Sequence, residues 1–294
     1  MRILILLSIL FLATFVSGQD LLTLEQDLAF HADVMMSAQN SKHRIKAAKD
    51  FQTLFEKTLS IESSYFYPFD SLIWISKKQP KDNTFRIFTW IVDNGNGQFD
   101  HIGFIQLPTG KIFTLKDHLK DSEDWEYSIN SNENWMGAMY YSLLEDVIDG
   151  KKQYLLFGFH RFDVHENIKL LDVLSFDKQE NPLFGKEIFE RKNKDARSTI
   201  KTRIVLKYSA DSYVGLHFND GLNLIVHDHL ITKANLATNR GMTLVSDGSL
   251  VGYEKNKNYW TYIDKLYTQI LDEAPRPQPI LDKRSKDLFG KDKK

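Results

Sequence analysis

The chain has 294 residues, of which 42% are hydrophobic and 26% are charged, and this composition is typical of a globular protein that buries a core. Its formal net charge is −1 at pH 7, which excludes a broad basic surface for nucleic acid. The absence of cysteine excludes disulfide bonds and cysteine-based catalysis.

Residues 1–18 have the pattern of a secretory signal peptide. Arg2 supplies the positive start, Ile3 to Val16 is almost entirely apolar, and Ser17 and Gly18 are small residues suited to cleavage. The apolar run is short for a membrane span, although an uncleaved N-terminal anchor is the alternative. We therefore predict cleavage after Gly18 and an exported protein, periplasmic or extracellular, with no membrane span once the signal is removed. Export without cysteine favours a bacterial protein.

Residues 19–60 are predicted to form a helical pair. Apolar side chains recur at intervals of three and four residues on both sides of Asn40–Ser41, a spacing that places them on one helix face. We predict that the second helix runs from Ser41 to Leu59, with Ser41 as its N-cap. The apolar residues are Leu21, Leu24, Leu28, Ala32 and Met35 in the first helix and Ile45, Ala48, Phe51, Phe55 and Leu59 in the second.

Residues 61–272 are predicted to form a large antiparallel β region, a meander or a sandwich, which makes the fold class α+β. Short runs rich in Ile, Val, Phe, Tyr and Trp alternate with turn sequences that tolerate positive φ. Ser198–Tyr208 is predicted to be one strand, and the polar segment Ile129–Trp135 a loop. The predicted turns are Asn94–Gly97, Pro108–Gly110, Asp149–Gly150, Asn219–Gly221 and Asp247–Gly248.

The C-terminal part is predicted to contain a short helix over Tyr259–Leu271 and then a Pro-containing basic tail over residues 273–294. The prolines of Ala274–Pro279 favour an extended segment, and the charged residues beyond it are typical of a disordered end. A solvated tail is the preferred interpretation, and an arm that docks to a partner is the alternative.

The run Leu222–Ile231 (LNLIVHDHLI) places two histidines and an aspartate in one predicted strand. Because side chains alternate along a strand, His227 and His229 lie on one face and Asp228 on the other. Metal sites use His-x-His on a strand face, so His227 and His229 are the candidate metal ligands, and Asp228 and His229 are the candidate catalytic groups. Two histidines specify no further ligand, so the preferred interpretation is structural. We predict no cofactor.

Other polar residues give no complete motif. His165–Lys169 lacks the second histidine of a zinc-protease helix, and Asp93–Gly97 lacks the acidic ligands of a calcium loop and is predicted to be a plain hairpin. Asp172 shares a strand face with apolar residues, as Asp228 does, so each carboxylate needs a cation or hydrogen-bond donors. Gly185 is predicted to permit an unusual backbone angle.

Several segments between Trp135 and Trp260 resemble a group of exported β-rich proteins from Bacteroidetes-type bacteria. The resemblance implies export and β architecture, and it carries no activity, ligand or site residue. The segments that carry it are Tyr154–Gly158, Lys169–Phe176, Pro182–Phe189, Ile225–Leu230 and Asp247–Ser249.

The predicted function is binding or envelope-associated structure without catalysis, because turns and apolar strands account for most of the sequence. The alternative is a hydrolase that uses a metal or carboxylate near His227, Asp228 and His229, with His160 or Asp172 as a further group. A third class is a component that docks to other envelope proteins.

Overall fold

The computed structural model describes residues 2–119, 124–192, 198–234 and 241–266, with side chains described from residue 20 onward. Within these residues two α-helices precede sixteen β-strands, so the α+β prediction is confirmed. The helices are α1 (Arg2–Ser37) and α2 (Ser41–Leu59). The strands are β1 (Ser76–Lys78), β2 (Arg86–Gly95), β3 (Gln98–Gln106), β4 (Ile112–Lys116), β5 (Asn130–Ser131), β6 (Met139–Ile148), β7 (Lys151–Arg161), β8 (Glu166–Phe176), β9 (Pro182–Phe184), β10 (Phe189–Lys192), β11 (Ser198–Lys201), β12 (Ile204–Ser209), β13 (Leu216–Asn219), β14 (Leu224–Ala234), β15 (Met242–Asn256) and β16 (Tyr259–Ile263).

The helical pair forms as predicted, with three differences. Helix α1 includes both the predicted signal peptide and the predicted first helix. Helix α2 has the predicted bounds, but its N-cap is Asn40, whose side chain accepts a hydrogen bond from the Lys42 N–H. Ile45 is exposed, and the buried stripe of α2 instead includes Ala47. Among the described residues, no helix combines the length and apolar character that a membrane span requires.

The strands form three sheets. The N-terminal sheet has the order β1-β2-β3-β4, and the central sheet has the order β5-β9-β8-β7-β6, with β12 also paired to β8. The C-terminal sheet has the order β11-β10-β16-β15-β14-β13. Neighbouring strands are antiparallel except β10 and β16, which pair in parallel.

The helices and sheets stack in layers, with a hydrophobic core between each pair of layers. Alternation along the strands sends Phe88 to the core beneath the helices and Ile87 to the core against the central sheet. In the central sheet, Leu155 faces the C-terminal sheet while Leu156 faces the N-terminal sheet. The central strands β7 and β8 are therefore buried on both faces, which explains their nearly continuous apolar runs.

Four predicted segments differ in the structure. Tyr259–Ile263 is a strand rather than part of a helix, because it pairs with β15 and buries Trp260. Ser198–Tyr208 divides into β11 and β12, which belong to different sheets. Asp247–Gly248 lies within β15 rather than in a hairpin, at the point where the register between β14 and β15 shifts. The predicted Ile129–Trp135 loop contains β5 and a short 3-10 helix. The predicted tail, residues 273–294, lies outside the described residues.

Candidate functional site

The three candidate residues of β14 do not converge on one site. Burial lowers the pKa of His227, whose Nδ1 lies 2.8 Å from the Asp228 carbonyl oxygen and whose ring packs 6.0 Å from the Tyr253 ring. His229 is about half-exposed and places Nδ1 2.8 Å from the Asp247 carboxylate. A metal ion or a substrate would need these groups to face one point, and each has a separate neighbour instead.

Asp228 has the hydrogen-bond donors that its buried strand face requires. Its Oδ2 accepts a 2.6 Å hydrogen bond from the Gly215 N–H, and its Oδ1 accepts one of 2.6 Å from the Ser246 hydroxyl. The prediction that this carboxylate needs a partner is confirmed. These bonds connect three segments of the C-terminal sheet region, and they favour the structural interpretation of Asp228.

Asp172 also has a partner, the guanidinium of Arg203. The Arg203 Nε donates to Asp172 Oδ1 at 3.0 Å, and both side chains are fully buried. Asp172 Oδ2 lies 3.4 Å from the Tyr140 hydroxyl, and its Oδ1 also accepts from the Val173 N–H. The predicted need for a cation or hydrogen-bond donors is confirmed, and the pair belongs to the interior of the central sheet rather than to a cavity.

One cluster of potential metal ligands occurs in the described part of the chain: His101, Asp117 and His160, with one ligand atom from each within 4.8 Å of the others. His101 Nδ1 lies 2.9 Å from Asp117 Oδ2, and His101 Nε2 accepts a 3.1 Å hydrogen bond from the Arg161 N–H. Because a backbone N–H is always the donor, the proton of neutral His101 is on Nδ1 and points at Asp117. Burial raises the pKa of Asp117, but the hydrogen bonds from His101 and from the Leu119 N–H act against it, and that pKa lies below its ordinary value.

The ring geometry of this cluster does not fit a metal centre. The imidazoles of His101 and His160 stack 3.7 Å apart with an interplanar angle of 14°. Ligand lone pairs lie in the ring planes, so nearly parallel stacked rings cannot direct both lone pairs at one ion. His160 Nδ1 also lies 2.8 Å from the Gly137 carbonyl oxygen. The cluster instead connects β3, the segment after β4 and the end of β7, and so it holds the N-terminal sheet against the central sheet.

A cationic cavity of about 370 Å³ lies beside the chain segment that connects α2 to β1. Three basic side chains line it, and none of its lining residues is acidic. The basic residues are Arg86 at the start of β2 and Lys77 and Lys78 in the edge strand β1. The aromatic residues of the lining are Tyr65, Phe66, Tyr67 and Phe88. We call this feature the cationic cavity.

Arg86 is the unusual residue of the cationic cavity, because it is buried without a counter-ion. Only 6% of its surface is exposed, and burial lowers the pKa of Arg86 to about 10. Its Nη1 donates to the carbonyl oxygens of Ser64 and Tyr65, and its guanidinium carbon lies 4.8 Å from the centre of the Phe88 ring. Within the described residues, no carboxylate lies within 4.0 Å of this guanidinium, and its Nε and Nη2 make no hydrogen bond.

The two lysines add positive charge at the same place. Burial lowers the pKa of both Lys77 and Lys78. Lys77 Nζ donates to the Phe69 carbonyl oxygen at 2.5 Å, whereas the Lys78 ammonium has no ion pair in the part of the chain that the structure describes. Glu25 lies nearby, but its carboxylate is engaged by the Tyr67 hydroxyl and the Ser71 N–H. The cavity is therefore a place where a negative charge from outside the chain would be stabilised.

This cavity was not predicted from the sequence. Lys77 pairs with Phe88 across β1 and β2, and this register brings the lysines beside Arg86. The sequence does contain an indication of such a site, because the aromatic segment Tyr65–Phe69 lies close to three basic residues. Strand pairing, however, decides which of these side chains share a cavity.

The fold and the cavity define an α+β protein of stacked antiparallel sheets with a small, positively charged, aromatic-walled cavity near its helical layer. Comparisons of the chain with models of known families, with curated proteins and with solved structures found no match. The functional interpretation therefore follows from the geometry of this molecule.

Proposed function

We propose that this is an exported, non-catalytic protein that binds a small organic anion in the cationic cavity. The observation that carries the proposal is the buried Arg86 guanidinium without a carboxylate partner. Burying a charge without a counter-charge is costly, so such a residue in a cleft is a strong indicator of a binding site. The pattern of residues 1–18 and the resemblance to exported β-rich proteins support the location.

The lining residues indicate the chemistry of the ligand. A carboxylate or phosphate group suits Arg86, whose Nε and Nη2 are available for two hydrogen bonds. The rings of Tyr65, Tyr67 and the 84% exposed Phe66 suit a flat apolar body. A volume of about 370 Å³ is at the small end of ligand cavities, which favours a compact ligand over a polymer.

The alternative role of Arg86 is to hold the loop after α2. Its two bonds to the Ser64 and Tyr65 carbonyl oxygens serve that role. They use only Nη1, however, and they do not account for the Lys78 ammonium, which has no hydrogen bond or ion pair in the described chain. An arginine with only a structural role needs no further cations around it. Binding of an anionic ligand therefore explains the grouping of Arg86 with two lysines better.

Anion titration of the purified protein tests the proposal. Benzoate and phenyl phosphate are the probes, and neutral benzamide is the matched control ligand. We expect at least one anion to bind and benzamide not to bind. Arg86→Gln and Lys78→Gln should each weaken anion binding, Arg86→Gln by about tenfold or more. Arg191→Gln is the control variant, because the Arg191 guanidinium stacks on Tyr262 far along the chain from the cavity.

Lys78→Gln keeps the test valid if Arg86→Gln does not fold, because no hydrogen bond of the structure depends on the Lys78 ammonium. Failure of both anions to bind the native protein would overturn the proposal. Equal binding by the native protein and a folded Arg86→Gln variant would overturn it as well.

Export is tested by a separate measurement, the intact mass of the protein recovered from a periplasmic or culture fraction. We expect a chain that begins at Gln19. A cell-associated chain that retains residues 1–18 would contradict cleavage and leave the anion site unaffected.

A further inference from the structure

A second cavity, of about 550 Å³, lies where the end of α1, the β2–β3 hairpin and the ends of β6 and β7 meet. Its walls are mainly apolar, and three methionines add adaptable, polarisable surface. We call it the apolar groove. Its wall residues that matter here are Met36, Trp74, Phe99, Met139, Phe159 and Val164.

One cation in the apolar groove has no counter-ion. The Arg161 guanidinium carbon lies 4.8 Å from the centre of the Phe99 ring, and its Nε is buried without a hydrogen-bond partner. Across the described residues, no carboxylate lies within 4.0 Å of it. The backbone N–H of Arg161 donates to His101 Nε2, so the strand that carries this side chain is held in place.

The other charged groups of the groove neutralise each other. Arg44 lies 3.4 Å from Asp93, and its Nε and Nη1 donate to backbone carbonyl oxygens at the end of α1 and in β2. Asp93 is therefore occupied by Arg44 and leaves Arg161 as the charge without a partner. A buried guanidinium nitrogen without an acceptor is uncommon and needs an explanation.

We infer that the apolar groove binds an alkyl carboxylate, with its head group on Arg161 and its chain along the methionine and aromatic walls. A carboxylate supplies the counter-charge that the Arg161 guanidinium lacks, and a partly exposed guanidinium in the lining can pair with it. A flexible alkyl chain matches a wall of methionine, tryptophan and phenylalanine side chains, where burial of apolar surface stabilises the complex. This site is separate from the cationic cavity, whose lining shares no residue with it.

Trp74 offers a direct readout, because it lines the groove and is 42% exposed. Decanoate is the probe, and decanol is the neutral control with the same chain. We expect decanoate to shift the tryptophan emission saturably and decanol to bind at least tenfold more weakly. Trp74→Phe should remove the emission change and leave decanoate binding measurable by calorimetry.

Arg161→Gln should weaken decanoate binding about tenfold or more and leave the weaker binding of decanol unchanged. Arg191→Gln is the control, since it removes an arginine that stacks on Tyr262 and lines neither cavity. If Arg161→Gln does not fold, Met36→Glu replaces it, because Met36 is 40% exposed and a carboxylate there repels the ligand head; Met36→Gln controls for size.

Three results would overturn the inference: no binding of decanoate, equal binding of decanoate and decanol, or a loss with Arg191→Gln equal to that with Arg161→Gln. Decanoate that binds the Arg161→Gln variant as well as the native protein would also refute the assigned head-group position. None of these results bears on benzoate or phenyl phosphate, so the two sites fail independently.

Discussion

Replacement of Asp172 with alanine will lower the free energy of unfolding by roughly 3–5 kcal/mol, because it leaves the Arg203 guanidinium buried without its counter-charge. Both side chains are fully buried, and the Nε–Oδ1 distance is 3.0 Å. A loss of this size is a large part of the stability of a typical protein, which is about 5–15 kcal/mol. The buried pair thus makes folding sensitive to a single carboxylate.

The effect is large because Arg203 connects several segments. Its Nη1 donates to the carbonyl oxygens of Trp125 and Ser128, and its Nη2 donates to Asn130 Oδ1 and the Phe184 carbonyl oxygen. These bonds fix the chain before β6, together with β5 and β9, to the central sheet. Loss of Asp172 disturbs the position of the guanidinium and therefore all of these bonds.

Urea unfolding at pH 7 measures the effect, with Asp100→Ala as the control, because Asp100 is exposed and its carboxylate forms no hydrogen bond or ion pair within the described residues. Arg203→Met should also destabilise strongly, since it removes the counter-charge of the buried Asp172 and the donor to the Trp125, Ser128 and Phe184 carbonyl oxygens. The double variant should lose less than the sum of the two single losses, by about 0.5–3 kcal/mol. An Asp172→Ala loss no larger than that of Asp100→Ala would contradict the assigned role of the pair.

Strand alternation predicted that Asp172 and Asp228 need partners, but it could not identify those partners. Arg203 lies 31 residues after Asp172 in sequence, and its approach depends on the pairing of β12 with β8. Gly185 was predicted to adopt an unusual backbone angle, and its φ is +100°. A Cβ atom there would lie 2.9 Å from Arg203 Nη2, a contact that no local pattern encodes.

The candidate sites were less predictable than the fold, because they depend on contacts between residues that are distant in sequence. Periodicity and turn residues are local, so they identified the helices and most of the strands. Arg86 stands out because neighbouring layers bury it without an acid, and Arg161 because its Nε is buried without an acceptor. Burial by a distant layer leaves no mark on the adjacent residues of the sequence. The His-x-His spacing in β14 was visible in the sequence, yet the two imidazoles have different neighbours.

Replacement of Phe55 with alanine is the second change with a large expected effect, a loss of roughly 3–5 kcal/mol in the free energy of unfolding. Phe55 is fully buried in α2, and its ring lies 4.9 Å from Phe88, 5.3 Å from Phe51 and 5.4 Å from Phe69. Truncation removes contacts with three rings at once and leaves a cavity between the helices and the N-terminal sheet.

The exposed Phe66 is the matched control, and it separates stability from binding. Phe66 is 84% exposed and lines the cationic cavity, so Phe66→Ala should change the free energy of unfolding by less than about 0.5 kcal/mol while weakening benzoate binding. Phe55→Leu, which keeps most of the volume, should lose less than Phe55→Ala. Urea unfolding of the three variants measures this order.

Equal losses for Phe55→Ala and Phe66→Ala would mean that the helices are not held to the N-terminal sheet by this aromatic core. The Phe69 and Phe88 rings that flank Arg86 would then lack the support that keeps the cationic cavity formed.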